Sequence, residues 1–195
     1  MRDMLLFLLV FIIFFSACGS EKAPNAEKPV EKVEEKKTPI DENALIMRLS
    51  NGLAAEPETQ AEIDQNLIVN YAIDNLLEVK RTRSGLYYQI LEEGEGQPIK
   101  WADQVVVHYK GYFLDGRVFD SSYEKDKPLT FYVGNMIPAW NEGLQLLKKK
   151  SKALFLVPSE LAYGPQGFQN SRGQDIVPPN TVLAFELEVL QRYDK

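Results

Sequence analysis

The sequence predicts an α+β domain, a curved antiparallel sheet wrapped on one short helix, preceded by a small helical segment. Three observations carry that expectation. Apolar residues recur at helical spacing up to about residue 79, and after Gly85 the period changes to alternation. The alternating half holds several short apolar runs and a single helix-like stretch, residues 137–149, in which Trp140, Leu144 and Leu147 recur at helical spacing. With 45% hydrophobic and 26% charged residues among 195, the chain can bury one ordinary core and is not globally disordered.

The first element is an almost unbroken apolar run over residues 4–15, followed by Ser16, Ala17 and Cys18. A bilayer-spanning helix needs about 20 apolar residues, so a cleaved signal peptide over residues 1–17 is expected instead. Cys18 is the only cysteine, stands behind small residues and precedes Gly19. The pattern resembles a bacterial lipobox, with Phe15 in place of the usual aliphatic residue. It implies lipidation of Cys18 and a bacterial cell-envelope location, anchored to the outer membrane, at about 0.8 kcal/mol per buried CH₂. A plain secretory signal, or an uncleaved anchor with an incidental cysteine, is the competing reading. Residues 18–37 are rich in Glu, Lys, Ala and Pro and read as a disordered, solvated tether.

Residues 38–83 form the helical segment. Thr38 offers an N-cap with Pro39 at the first helical position and Asp41 in the first turn; Ala44, Leu45, Met47 and Leu49 continue the helix, and Asn51 and Gly52 stop it. Thr59 and Glu62 make a second capping box. Ile63, Leu67 and Tyr71, with the companion row Ile68, Ala72 and Leu76, mark one broad apolar stripe.

Residues 84–195 supply the strands. Leu86, Tyr88 and Ile90 share a face, as do Val105, Val107 and Tyr109, then Leu129, Phe131 and Val133, and finally Leu183, Phe185, Leu187 and Val189. One run breaks the inside–outside balance. If Ala153, Phe155 and Val157 point inward, Leu154 and Leu156 point outward, where Val106 and Ala184 join them. The helical segment presents apolar groups that nothing in its own length covers, so the two surfaces are expected to bury each other, within one chain or between two.

Charge and histidine count exclude several function classes. A net charge of −6 without a basic stripe argues against nucleic acid as partner. The single histidine, His108, rules out a multi-histidine metal site, and with one cysteine no intrachain disulfide can form. No metal or other cofactor is expected. A hydrolase lacks its parts: there is no G-x-S-x-G element, and His108 points away from Tyr109 on the opposite strand face.

An ordered series of segments runs through the last half: VVVHYKGYFLDG, RVFDSS, PLTFYVG, AWNEGL, LAYG and VPPN. Taken singly, each aromatic among them reads as ordinary core. Taken together, in this order and near these spacings, they resemble the substrate pocket of an FKBP-type peptidyl-prolyl cis/trans isomerase. The resemblance covers residues 84–195. It implies an isomerase acting on proline-containing polypeptides and assisting the folding of cell-envelope proteins, as a monomer or a homodimer. A non-catalytic chaperone or peptide-binding module using the same groove is the alternative. By resemblance Trp140 floors the pocket and Tyr109, Phe119, Phe131 and Phe185 wall it, with Leu129, Met136, Ile137, Ile176 and Val177 at the sides. Asp120 and Tyr163 are the polar members, the backbone N–H of Ile137 binds a substrate carbonyl, and Asp120 orients Tyr109.

The chain departs from the family pattern in five places. The loop from Gly134 to Trp140 is shorter, Ala139 replaces glycine, Leu129 replaces an aromatic residue, Lys150 replaces a helix-ending glycine, and residues 165–175 are longer.

Overall fold

The computed structural model describes residues 40–194. The apolar leader, Cys18, the tether, and Thr38 and Pro39 lie outside the described residues. Helix α1 (Glu42–Ser50) is capped by Asp41, whose carboxylate accepts the Ala44 N–H at 3.1 Å, so the helix starts later than a Thr38 cap would place it. Asp41 satisfies an otherwise orphaned N–H, and Glu42 adds negative charge at the positive end of the helix dipole. Helix α2 (Gln60–Asp74) begins with the expected capping box: the Thr59 hydroxyl accepts the Glu62 N–H, and the Glu62 carboxylate accepts the Thr59 N–H.

The apolar stripe expected on α2 is corrected. Ile68, Val69 and Ala72 are buried, whereas Ile63 and Leu67 are 41% and 48% exposed. Two apolar rows that far apart around a helix cannot both face one flat surface. The buried row is the one that includes Asp64, which is itself fully buried.

The chain continues through β1 (Lys80–Arg81), β2 (Tyr87–Glu92), β3 (Glu95–Pro98), β4 (Gln104–Phe113), β5 (Val118–Ser121) and β6 (Leu129–Tyr132). Helix α3 (Pro138–Gly143) comes next, followed by β7 (Lys148–Lys149), β8 (Lys152–Val157), β9 (Phe168–Gln169), β10 (Asp175–Val177) and β11 (Leu183–Tyr193). The main sheet has the order β1-β2-β8-β11-β4-β5, with β6 also pairing with β4. Its neighbours are antiparallel. The ribbons β3–β7 and β9–β10 stand outside it. Residues 137–149 are less helical than their spacing predicts, since α3 gives way to a 3₁₀ turn at Leu144–Leu146 and then to β7. Lys150, where the family pattern has glycine, adopts the left-handed conformation with φ of 68°.

Alternation along the strands divides the apolar residues between two layers. The inner face gathers Val105, Val107, Tyr109, Phe131, Ala153, Phe155, Val157, Leu183, Phe185 and Leu187 over Trp140, Leu144 and Leu147 from the α3 region. On the outer face Leu154, Leu156, Ala184, Tyr87, Tyr112 and Val182 pack against Leu45, Leu49, Ile68, Val69 and Ala72 of the two helices. The helices thus cover the outward apolar surface of their own sheet. Val106 is only half-buried and outside that layer, because Tyr112, toward the other end of β4, is the β4 residue the helices reach. Among the described residues no helix is long and apolar enough to cross a membrane.

Candidate functional site: an aromatic cavity over Trp140

The open side of the inner core is a cavity of about 70 Å³ lined by Tyr109, Phe119, Asp120, Leu129, Met136, Ile137, Trp140, Tyr163 and Phe185. Each side chain arrives from a different element. Tyr109 comes from β4, Phe119 and Asp120 from β5, Leu129 from β6, Trp140 from α3 and Phe185 from β11. Met136 and Ile137 lie in the turn before α3, and Tyr163 follows the 3₁₀ turn Ser159–Leu161. Trp140 is 2% exposed, and three rings surround it. Tyr109 and Phe185 stand edge-on at 5.1 and 5.5 Å, and Phe131 is tilted at 5.7 Å. Edge-to-face contacts of this kind hold rings rigidly, so the floor is pre-formed. Gly111 of β4 makes the approach possible: a Cβ there would sit 2.7 Å from the Phe119 ring and 2.9 Å from the Phe185 ring.

Of the residues expected at the pocket, nine line this cavity. Phe131, Ile176 and Val177 do not. Phe131 packs against Trp140, and Ile176 and Val177 pack into the inner core from β10, so these three belong to the core that adjoins the cavity. His108 projects to the other face of β4, where its Nδ1 lies 2.9 Å from the Ser122 hydroxyl and its ring stacks on Tyr123.

The polar rim is held in a fixed state. The Tyr109 hydroxyl donates to Asp120 at 2.6 Å, and the Lys125 ammonium pairs with the other Asp120 oxygen. Burial pushes the Asp120 carboxyl up, but the bonds from Lys125 and Tyr109 outweigh it and hold the group below its ordinary value. Burial, then the Asp120 charge, push the Tyr163 hydroxyl up, and burial with the bond to Asp120 does the same for Tyr109. At neutral pH the rim therefore carries one carboxylate and two neutral phenols. Among the described residues no hydrogen bond occupies the Ile137 N–H or the Tyr163 hydroxyl, and the buried Trp140 indole N–H has no partner.

Three residues matter here that the sequence reading did not single out. Lys125, in the β5–β6 turn, completes the Asp120 pair. Asn141 fixes the shortened loop: its Oδ1 accepts the N–H groups of Gly134 (2.9 Å) and Met136 (3.1 Å), and its Nδ2 donates to the Met136 carbonyl at 2.6 Å. That clamp sets the direction of the neighbouring Ile137 N–H. Phe168, on the ribbon formed by the longer 165–175 loop, stacks on Tyr163 with centroids 5.0 Å apart.

Fold and site together define an α+β domain that can receive an apolar ring in an aromatic cavity and the adjoining carbonyls on neutral rim donors. A family profile described as FKBP-type peptidyl-prolyl cis-trans isomerase matches residues 95–190. The chain is 33% identical to the protein in the crystal structure of AtFKBP13, covering 98% of that chain and 59% of this one with a TM-score of 0.56. It is 32% identical to FkpA from Escherichia coli in its crystal structure, covering 83% of that chain and 79% of this one with a TM-score of 0.53. The chain belongs to the FKBP-type peptidyl-prolyl cis-trans isomerase family. Among curated relatives it is 44% identical over 112 residues to FkpA of Escherichia coli (strain K12), covering 57% of this chain and 39% of that protein. It is 47% identical over 113 residues to a probable FKBP-type isomerase of Haemophilus influenzae, covering 58% of this chain and 45% of the relative. The chain thus spans less than half the length of these two relatives.

Proposed function

We propose that the chain catalyses cis/trans isomerisation of X-Pro bonds in polypeptides at the Trp140 cavity. The observation that supports this best is the convergence of an apolar ring-sized floor with two donors that have no hydrogen bond among the described residues, the Ile137 N–H and the Tyr163 hydroxyl. The reaction breaks no bond. Its barrier of about 20 kcal/mol is the loss of amide resonance on twisting, so neither a nucleophile nor a proton shuttle is required. Only interactions that favour the twisted amide over the planar one accelerate it, each tenfold corresponding to about 1.36 kcal/mol.

In this reading the proline ring rests on Trp140 between Phe119, Phe185 and Tyr109. The Ile137 N–H and the Tyr163 hydroxyl hold carbonyls beside it, so the chain on one side of the rotating X-Pro bond is fixed while the other turns. Asp120 transfers no proton; it fixes the Tyr109 ring and keeps negative charge at the rim. Loss of resonance makes the twisted amide less polar, so a water-poor aromatic wall costs it less than it costs the planar amide.

The test is a protease-coupled assay on a proline tetrapeptide with the full chain. The isomerisation rate should rise with enzyme concentration, and Tyr163→Phe should lower kcat/KM roughly two- to tenfold, the worth of one hydrogen bond. Peptide binding without any acceleration would leave a chaperone or peptide-binding module in place of an enzyme.

The same reading places the protein in a bacterial cell envelope, lipid-anchored through Cys18, with the Glu- and Lys-rich tether carrying the domain away from the membrane toward folding envelope proteins. The apolar run ending at the chain's sole cysteine supports it. Cys18→Ser should move the protein from the membrane to the soluble fraction. Unchanged fractionation with an intact precursor mass would instead assign an uncleaved anchor.

A further inference from the structure

We propose that Asp64, on helix α2, is a positioning residue for Tyr163 in the cavity and acts through Ser159. The rate readout of this proposal rests on the isomerase reading above, while its geometric basis does not. Asp64 is fully buried in the row with Ile68 and Ala72 that faces the sheet. A helix that served only as a cover would keep an aliphatic side chain there, since burying a carboxylate is costly unless donors replace its water. Asp64 has such donors. Its Oδ1 accepts from Gln60 Nε2 at 2.7 Å, and its Oδ2 accepts both the N–H of Ser159 at 2.7 Å and the hydroxyl of Ser159 at 2.6 Å.

Ser159 is fully buried and opens the 3₁₀ turn that leads from β8 to the cavity. The first N–H groups of such a turn have no acceptor within it, and 3₁₀ bonds are themselves weak. Two of them, Leu161 N–H to Pro158 and Ala162 N–H to Ser159 at 3.0 Å each, are all that the turn supplies before Tyr163. Asp64 therefore fixes the start of the segment that carries Tyr163. Its far end is fixed by the Asn180 N–H on the Gly164 carbonyl at 2.8 Å and by Phe168 stacked on the Tyr163 ring. Since the Tyr163 hydroxyl has no hydrogen bond of its own among the described residues, backbone placement and ring stacking decide where that donor points. The N-terminal helices thus reach the catalytic tyrosine as well as the back of the sheet.

A double-mutant cycle on the full chain tests this. Asp64→Asn keeps the size of the side chain but turns one acceptor into a donor facing Gln60 or Ser159. It should lower kcat/KM by up to as much as Tyr163→Phe does, within the range of roughly two- to tenfold. In the Tyr163→Phe background it should lower it no further, because the group it positions has gone. Equal proportional losses in both backgrounds, or no loss in an active chain, would overturn the proposal. A general loss of stability would act in both backgrounds alike. An NMR measurement on ring-labelled tyrosine and phenylalanine is independent of activity. The Tyr163 and Phe168 ring signals should shift or broaden in Asp64→Asn while the Trp140 indole signal stays in place; an unmoved Tyr163 signal would overturn the proposal. Should Asp64→Asn not fold, Ser159→Ala removes one of the two Ser159 donors and should give the same pattern at smaller amplitude. If the wild-type chain leaves proline isomerisation unaccelerated, the isomerase reading falls, and the NMR shift still decides where Asp64 holds Tyr163.

Discussion

Asp120 decides the charge state of the cavity rim. Burial alone would favour its neutral form, yet Lys125 and the Tyr109 hydroxyl bind the ionised one and keep its pKa below the ordinary 3.8. A lowered folded-state pKa contributes stability that is present above the unfolded value and lost as pH falls through the folded one. The phenols move the other way, since both Tyr109 and Tyr163 are pushed above their ordinary 10. The expected kcat/KM profile is therefore flat from weakly acidic to weakly alkaline pH and falls only in the strongly acidic range where Asp120 protonates. A bell-shaped profile with a limb near neutrality would show that a group outside this rim controls the rate. The aromatic residues that line the cavity were legible because they sit in short motifs with fixed spacing. Lys125 was not, because its partnership depends on how the β5–β6 turn folds back. Phe131, Ile176 and Val177, expected at the pocket from the family resemblance, belong to the inner core and are not among the residues that line the cavity.

At the scale of elements, the strands were the most readable part. The inward and outward residues of β8 and β11 follow strict alternation, and the apolar outward pair Leu154 and Leu156 announced that something must cover them. Helix α2 was less readable. Its two apolar rows read as one broad stripe, whereas the buried row includes the charged Asp64, whose partner Ser159 lies 95 positions away in sequence and is brought to it only by the fold. The turn before α3 was flagged as short, but not how a short turn could hold its shape. Asn141 supplies the answer through three hydrogen bonds to Gly134 and Met136. Asn141→Ala removes all three and leaves the turn to swing. It should lower stability by about 1–3 kcal/mol in denaturant titration and lower kcat/KM roughly tenfold, because the Ile137 N–H loses its direction. Wild-type kinetics in Asn141→Ala would mean that Pro138 and the packing of Met136 fix the turn without the clamp.

At the scale of the molecule, one sheet separates two apolar layers, and neither is dispensable. The inner layer builds the cavity; the outer layer lies between the sheet and the helices. Without α1 and α2 the outer faces of Leu154, Leu156, Ala184, Tyr87 and Tyr112 would meet water, at about 25 cal/mol for each Å² of apolar surface exposed. The buried Asp64–Ser159 bonds add a polar tie across the same boundary. The helices and the sheet should therefore unfold together, although their sequence patterns read as separate segments. Ile68, fully buried at the centre of the outer layer, is the position to probe. Ile68→Ala should cost about 2–4 kcal/mol and lower Tm by roughly 6–12 °C. Helical circular dichroism and tryptophan fluorescence should still follow one coincident transition, because a loss in the outer layer is felt by the whole cooperative unit. Early melting of the helical signal, with tryptophan fluorescence holding to the wild-type Tm, would instead make the helices an independent attachment.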